Sequence, residues 1–257
     1  MRRVILVFAM ASLSCGKARP GAVKPTLVSL NPAATEMVFA LGAEDHLLAV
    51  SDFCDYPPAA RDLPSVGDLV KPDLETLRAM NPDYVILFLP TQAQLKSDLE
   101  KLGLATVDIS PENPAEVLES IRQLGSFLGV QERAKQLADS LRAEESAIVA
   151  PGVAPTVFIE LGVNPVYTAG AGTFPGSLVE AAGGRNIFDD LQGYAPVQDE
   201  EVVARRPDFI LMAHEGPDPR ERLGWPAARV IRIDPDLVSR PGPRYVQAIK
   251  MINESFR

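Results

Sequence analysis

Glu75 and Glu200 hold matching places in two similar stretches of the chain. Asp73-Leu-Glu75, running on to Pro82-Asp83-Tyr84, aligns with Gln198-Asp-Glu200, running on to Pro207-Asp208-Phe209, at a constant offset of 125 residues. Each carboxylate opens a predicted helix, where it complements the positive end of the helix dipole by about 0.3–1 kcal/mol. A second kind of chemistry belongs to rings. The chain is only 6% aromatic, yet Tyr56, Phe88, Tyr167 and Tyr194 fall in loops or at predicted strand ends. Exposed aromatic faces there supply contact area at low entropic cost. Core packing is the competing reading for Phe88, and a turn-stabilising ring beside Pro57-Pro58 is the one for Tyr56.

Catalytic patterns are missing. His46 and His214 are the only histidines, in no metal-ligand spacing, and there is no Gly-x-Ser-x-Gly elbow. Gly170-Ala-Gly172-Thr-Phe-Pro-Gly176 lacks the spacing of a phosphate loop and reads as a turn before a helix. Cys54 has no histidine nearby and reads as a buried or cleft-edge thiol. His214 follows a predicted strand, so a pocket role is open to it. We therefore expect no catalytic residues, no metal site and no resident cofactor.

The elements that must carry these residues alternate. Strands are predicted at Leu27–Leu30, Leu47–Val50, Tyr84–Leu89 and Thr106–Ile109, with helices at Ala33–Leu41, Leu74–Met80 and Gln92–Leu102. After Pro151-Gly152 the alternation resumes: strands at Thr156–Glu160, Phe209–Met212 and Val230–Ile233, helices at Pro175–Ala182, Glu200–Arg205 and Arg244–Phe256. Such alternation specifies an α/β fold with parallel, doubly wound sheets. A second internal match, Thr35 to Ala43 with Gly176 to Gly184, supports two similar lobes with a ligand cleft between them. Between the lobes, apolar positions from Val117 to Ile148 recur at helical spacing, capped by Asn113-Pro114. One backbone helix there would reach ~50 Å and join the lobes; the alternative is two helices broken at Gly129. The expected division is a leader and linker over 1–24, an N-terminal lobe over 25–112, a connecting helix over 113–150 and a C-terminal lobe over 151–257.

The chain has 25 Lys and Arg against 34 Asp and Glu, a formal charge of −9, which disfavours nucleic acid as a partner. Met1-Arg2-Arg3, the apolar run Val4–Leu13 and the small residues up to Cys15 read as a secretory leader too short to span a bilayer. Cys15 sits where a lipoprotein leader is cut, so we expect lipidation there. An ordinary cleaved leader and a Cys15–Cys54 disulfide are the alternatives.

Several fragments carry a family resemblance. They include Val28-Ser-Leu-Asn-Pro-Ala-Ala-Thr35-Glu36, Ser51-Asp-Phe-Cys54-Asp-Tyr56-Pro57-Pro58, Pro72-Asp-Leu-Glu75 and Asn81-Pro-Asp83. Others are Asn164-Pro165-Val-Tyr167-Thr168-Ala-Gly170, Ala182-Gly-Gly184-Arg-Asn186 and Arg240-Pro-Gly-Pro243-Arg244. In this order over Thr26–Arg257, the chain resembles the cobalamin-binding proteins among the long-helix (class III) ABC substrate-binding proteins. The resemblance implies capture of cobalamin or another corrinoid as a transported ligand in a shallow cleft that closes little. It places Tyr56 and Phe88 on the N-lobe face and Tyr167, Tyr194 and Asp236 on the C-lobe side. It implies delivery to a permease dimer with separate ATPase subunits, Glu75 and Glu200 docking on permease arginines. A monomer in the periplasm, or held by lipid on the outer face of the cytoplasmic membrane, is expected. Leu69 and Leu237 fall where relatives carry tryptophan. Haem or a ferric siderophore, bound by sister proteins of the fold, is the alternative ligand. Cations in the predicted cleft loops are chiefly Lys71 and Arg240, few for an anionic siderophore. An exported enzyme or metallocluster protein is the reading from another class.

Overall fold

A computed structural model describes residues 24–225 and 227–257. The N-terminal half forms β1 (Leu27–Ser29), α1 (Pro32–Ala40), β2 (Leu47–Val50), α2 (Leu74–Met80), β3 (Tyr84–Leu87), α3 (Ala93–Lys101) and β4 (Thr106–Asp108). All strands are parallel, in the order β2-β1-β3-β4. Their residues are apolar on both faces because helices cover both sides: Leu27 and Val28, which point to opposite faces, are each 0% exposed.

α4 (Pro114–Phe127) and α5 (Gln131–Ser146) follow. Then come β5 (Thr156–Glu160), β6 (Tyr167–Ala169), α6 (Phe174–Ala181), β7 (Arg185–Asn186), β8 (Tyr194–Pro196), α7 (Asp199–Arg205), β9 (Phe209–Met212), α8 (Pro219–Arg222), β10 (Arg229–Arg232), α9 (Pro235–Ser239) and α10 (Tyr245–Ser255). The second sheet, β7-β5-β9-β10, is also all parallel, and β6 and β8 form a separate antiparallel ribbon.

The two sheets repeat one plan, with β1, β2, β3 and β4 answering to β5, β7, β9 and β10. The likeness extends to single hydrogen bonds. Asp83 Oδ2 accepts from the Thr26 amide at 2.7 Å and hydroxyl at 2.9 Å, while Asp208 Oδ2 accepts from the Thr156 amide and hydroxyl, both at 2.7 Å. Both helices before these aspartates end on a left-handed residue, Asn81 (φ 48°) and Arg206 (φ 46°), again 125 positions apart.

The connection differs from the single long helix expected from the apolar spacing. Helix α4 stops in a Schellman turn: Val130 N–H donates to Gly125 O at 2.7 Å, and Gly129 takes φ +75°. α5 then folds back along α4, with Arg122 Nη2 3.5 Å from Asp139 Oδ1. Gly125 makes this close packing possible, because a Cβ there would lie 2.1 Å from that of Ala134. Periodicity reads the same through a hairpin as through a rod when both arms turn an apolar face inward. The hairpin touches α1 on one side and α6 and α10 on the other, so it still joins the lobes. One buried apolar cluster runs from Leu27 and Met37 through Leu118 and Ile121 to Val157 and Ile249. Among the described residues, no helix is long and apolar enough to cross a membrane.

A cleft floored by a charge clasp

In each sheet the chain leaves the central strand pair in opposite directions, and the crevice beyond the strands' carboxyl ends is where open α/β sheets bind ligands. The tyrosines and Phe88 lie past such ends. Tyr56 follows β2 and is 43% exposed; Phe88 follows β3 and is half-buried. Tyr167 and Tyr194, 40% and 55% exposed, belong to the β6–β8 ribbon. Pairing of Tyr167 with Pro196 and of Ala169 with Tyr194 makes the two rings diagonal neighbours on one face of it.

Beside Tyr56 the lobes are clasped by charge. Glu36, 3% exposed and the one charged residue of α1, takes a bidentate bond from Arg244: Nε to Oε2 at 2.8 Å and Nη2 to Oε1 at 2.6 Å. The Arg244 guanidinium lies 4.0 Å from the centre of the Tyr56 ring, covering one face of it. Arg240 reaches Asp55 at 2.7 Å across the lobes and Asp236 at 2.8 Å on its own, with Glu36 at 3.7 Å. Backbone contact is equally close, since a Cβ on Gly242 would stand 3.4 Å from Glu36 Oε2.

Burial pushes the Glu36 carboxyl above its ordinary range, against the downward pull of Arg244 and Arg240. Burial also raises Asp55, but the Arg240 hydrogen bond and charge outweigh it and leave that carboxyl low. Asp236 stays raised, chiefly by burial, with Asp234 and Asp55 adding repulsion. Burial lowers Arg244, and the bond and charge of Glu36 more than reverse that.

Of the residues singled out from sequence, Tyr56, Asp236 and Arg240 come together in or beside the clasp. Arg240 is 11% exposed in its side chain and spends both terminal nitrogens on carboxylates. Phe88 and the ribbon tyrosines stand apart from these salt bridges. Glu75 and Glu200 are exposed in the first turns of α2 and α7, away from the clasp. Cys15 lies outside the described residues. Cys54 is a buried free thiol, raised by burial despite hydrogen bonds with Ser51 and Thr35. His214 has no nitrogen to spare for a ligand: Nε2 meets Glu160 at 2.8 Å, and Nδ1 accepts from Gly216 N–H at 2.8 Å. Leu237 is 3% exposed and packs in the core, while Leu69 is half-buried.

Sequence reasoning passed over Glu36, Asp55 and Arg244. A signal was there, because one carboxylate inside an apolar helix that is buried needs a cation partner.

Two like α/β lobes, a helical connection packed on both, and exposed tyrosines past the strand ends define a bilobal solute-binding protein. Comparison with known proteins agrees. The chain belongs to the periplasmic binding protein family, whose model matches residues 27–238. It is 30% identical over 237 residues to the vitamin B12-binding protein of Salmonella choleraesuis (strain SC-B67), covering 89% of this chain and 88% of that one. Its structure resembles the periplasmic vitamin B12 binding protein BtuF of Vibrio cholerae, with TM-score 0.77, 26% identity and coverage of 90% and 96%. It also shares its fold, at TM-score 0.79 and 21% identity over 91% and 99% of the two chains, with the periplasmic heme binding protein HutB of Vibrio cholerae.

Proposed function

We propose that this protein captures cobalamin or a related corrinoid in the cleft between its lobes and delivers it to an ABC import permease, without itself catalysing a reaction. A corrin is a broad, flattish ring fringed with amides, so it calls for aromatic surface and few free charges. The observation that carries the reading is the commitment of Arg240 and Arg244 to Glu36, Asp55 and Asp236. An anionic siderophore, or the propionates of haem, would have to break these pairs to recruit either arginine, and a broken buried pair is costly. Tyr56, whose other face Arg244 supports, offers ring area above that floor, with Phe88, Tyr167 and Tyr194 at the rim. The vitamin B12-binding relatives support the same choice over haem.

Glu75 and Glu200, one per lobe and related by the repeat, are the carboxylates we assign to docking on permease arginines. The protein works as a monomer outside the cytoplasm. Cys15, preceded by the apolar run and followed by Gly16, is the site of lipid attachment, and intact mass of membrane-extracted protein tests it: an unmodified Cys15 thiol rejects the anchor. Competition calorimetry against cyanocobalamin, haem and a ferric tricatecholate tests the ligand. Saturable one-to-one binding of cyanocobalamin alone is expected; preference for haem would transfer the assignment.

A further inference from the structure

Neither ligand capture nor the internal repeat uses the ion chain buried in the C-terminal lobe. Glu160 ends β5 with its side chain fully enclosed (0% exposed). One of its oxygens faces His214 Nε2 at 2.8 Å; since His214 Nδ1 accepts from Gly216 N–H, the ring proton on Nε2 is the one donated to Glu160. The other oxygen pairs with Nη2 of Arg222 in α8. Arg222 Nη1 then pairs with Asp199, the first residue of α7. A chain of ion pairs thus runs from the carboxyl end of a core strand to the residue beside Glu200.

The matching helix in the N-terminal lobe is held differently. Asp73 caps α2 itself, its Oδ1 accepting from the Glu75 and Thr76 amides at 3.0 and 3.1 Å. The repeat places Gln198 at that position, where its side chain makes no cap bond. A first turn without a side-chain cap loses about 1 kcal/mol of helix stability and frays more readily. In α7 the side chain tied down at the first turn is instead Asp199, through its ion pair with Arg222.

We propose that Arg222, carried by Glu160 and His214, is a positioning residue for docking: by clamping Asp199 it fixes the first turn of α7 and the direction of the Glu200 carboxylate. The assignment rests on the reading of Glu200 as a docking residue. It makes the two tips of the protein chemically unequal, one self-capped and one braced from the core, against a two-fold partner.

The test uses full-length protein with its permease–ATPase complex in lipid nanodiscs, scored by the concentration giving half-maximal ATPase stimulation. Asp199→Ala cuts the tip end of the brace and leaves the Glu160–Arg222 pair in place, so the core of the lobe keeps its own ion pair. We expect that concentration to rise on the order of 5- to 20-fold, with cyanocobalamin affinity unchanged and melting temperature lowered by only about 2–4 °C. Because Asp199 acts through Glu200, the double variant Asp199→Ala/Glu200→Gln should be no weaker than Glu200→Gln alone. Adding Gln198→Asp, which copies the Asp73 cap, should restore docking to Asp199→Ala. Multiplying losses together with no rescue by Gln198→Asp would mean that Asp199 touches the permease itself, and would overturn the proposal. Weakening by Glu200→Gln but not by Asp199→Ala would overturn it while leaving the docking reading intact. No effect of Glu200→Gln would remove the docking reading and this proposal together.

Discussion

Glu36 shows how much of the cleft is decided by one side chain. Its partner Arg244 lies 208 residues away, and the pair both ties the lobes together and backs the Tyr56 ring. Removing the carboxylate strands Arg244, so Glu36→Ala should lose about 3–5 kcal/mol of stability, read as a shift in urea midpoint; an unchanged midpoint would mean the clasp holds nothing. The rings were legible in the sequence because loop aromatics beside prolines stand out. The clasp was not, because a salt bridge spanning most of the chain leaves no local pattern. Protonation adds a second test at this scale. Hydrogen bonds from Thr26 hold Asp83 below its ordinary range, and those from Thr156 do the same for Asp208. A carboxyl depressed in the folded state contributes stability above its unfolded value, and that contribution disappears as pH falls through the folded value. Acid should therefore destabilise the wild type through these two groups below the ordinary aspartate range. The double variant Asp83→Asn/Asp208→Asn should start less stable at neutral pH and show a flatter decline in acid. An equally steep decline, followed by melting temperature against pH, would assign the acid sensitivity elsewhere.

At the scale of elements, the connection is decided by two glycines. Gly129 terminates α4 in a left-handed turn, and Gly125 lets α5 lie against α4. The sequence pattern carried the break only as a lone glycine within a steady apolar period, which a rod and a hairpin satisfy equally. Gly125→Ala should cost about 1–3 kcal/mol from overpacking, and Ala134→Gly in the same chain should recover most of it. Thermal melts of the two single variants and the double variant decide this; additive losses would contradict the close approach. The longer strands and helices were legible because each lobe repeats the same alternation, whereas β7, α8 and α9, of two to five residues, are too short to carry a period. The β6–β8 ribbon was not, since Tyr167–Ala169 and Tyr194–Pro196 are three residues each and pair across a helix and a strand.

For the whole molecule, the repeat that links Glu75 to Glu200 in sequence also links the sheets and their Thr–Asp clamps in space, which explains why lobe architecture could be read early. One carboxylate per lobe suits a two-fold partner. Glu75→Arg with Glu200→Arg should abolish stimulation of the transporter ATPase while cyanocobalamin affinity and melting temperature hold. Normal stimulation would place docking elsewhere, and a fall of only about 1 kcal/mol in stability would reduce both residues to helix-dipole partners. The central claim, that the inter-lobe crevice holds a corrinoid on its aromatic rim, is met most directly by calorimetric titration of cyanocobalamin into the wild type and into Tyr56→Ala/Tyr194→Ala. The account predicts one site per chain in the wild type. Each truncated ring should lower affinity roughly 5- to 150-fold, about 1–3 kcal/mol, with melting temperature held near the wild-type value. Absence of binding by the wild type, or equal affinity in the double variant, would contradict it.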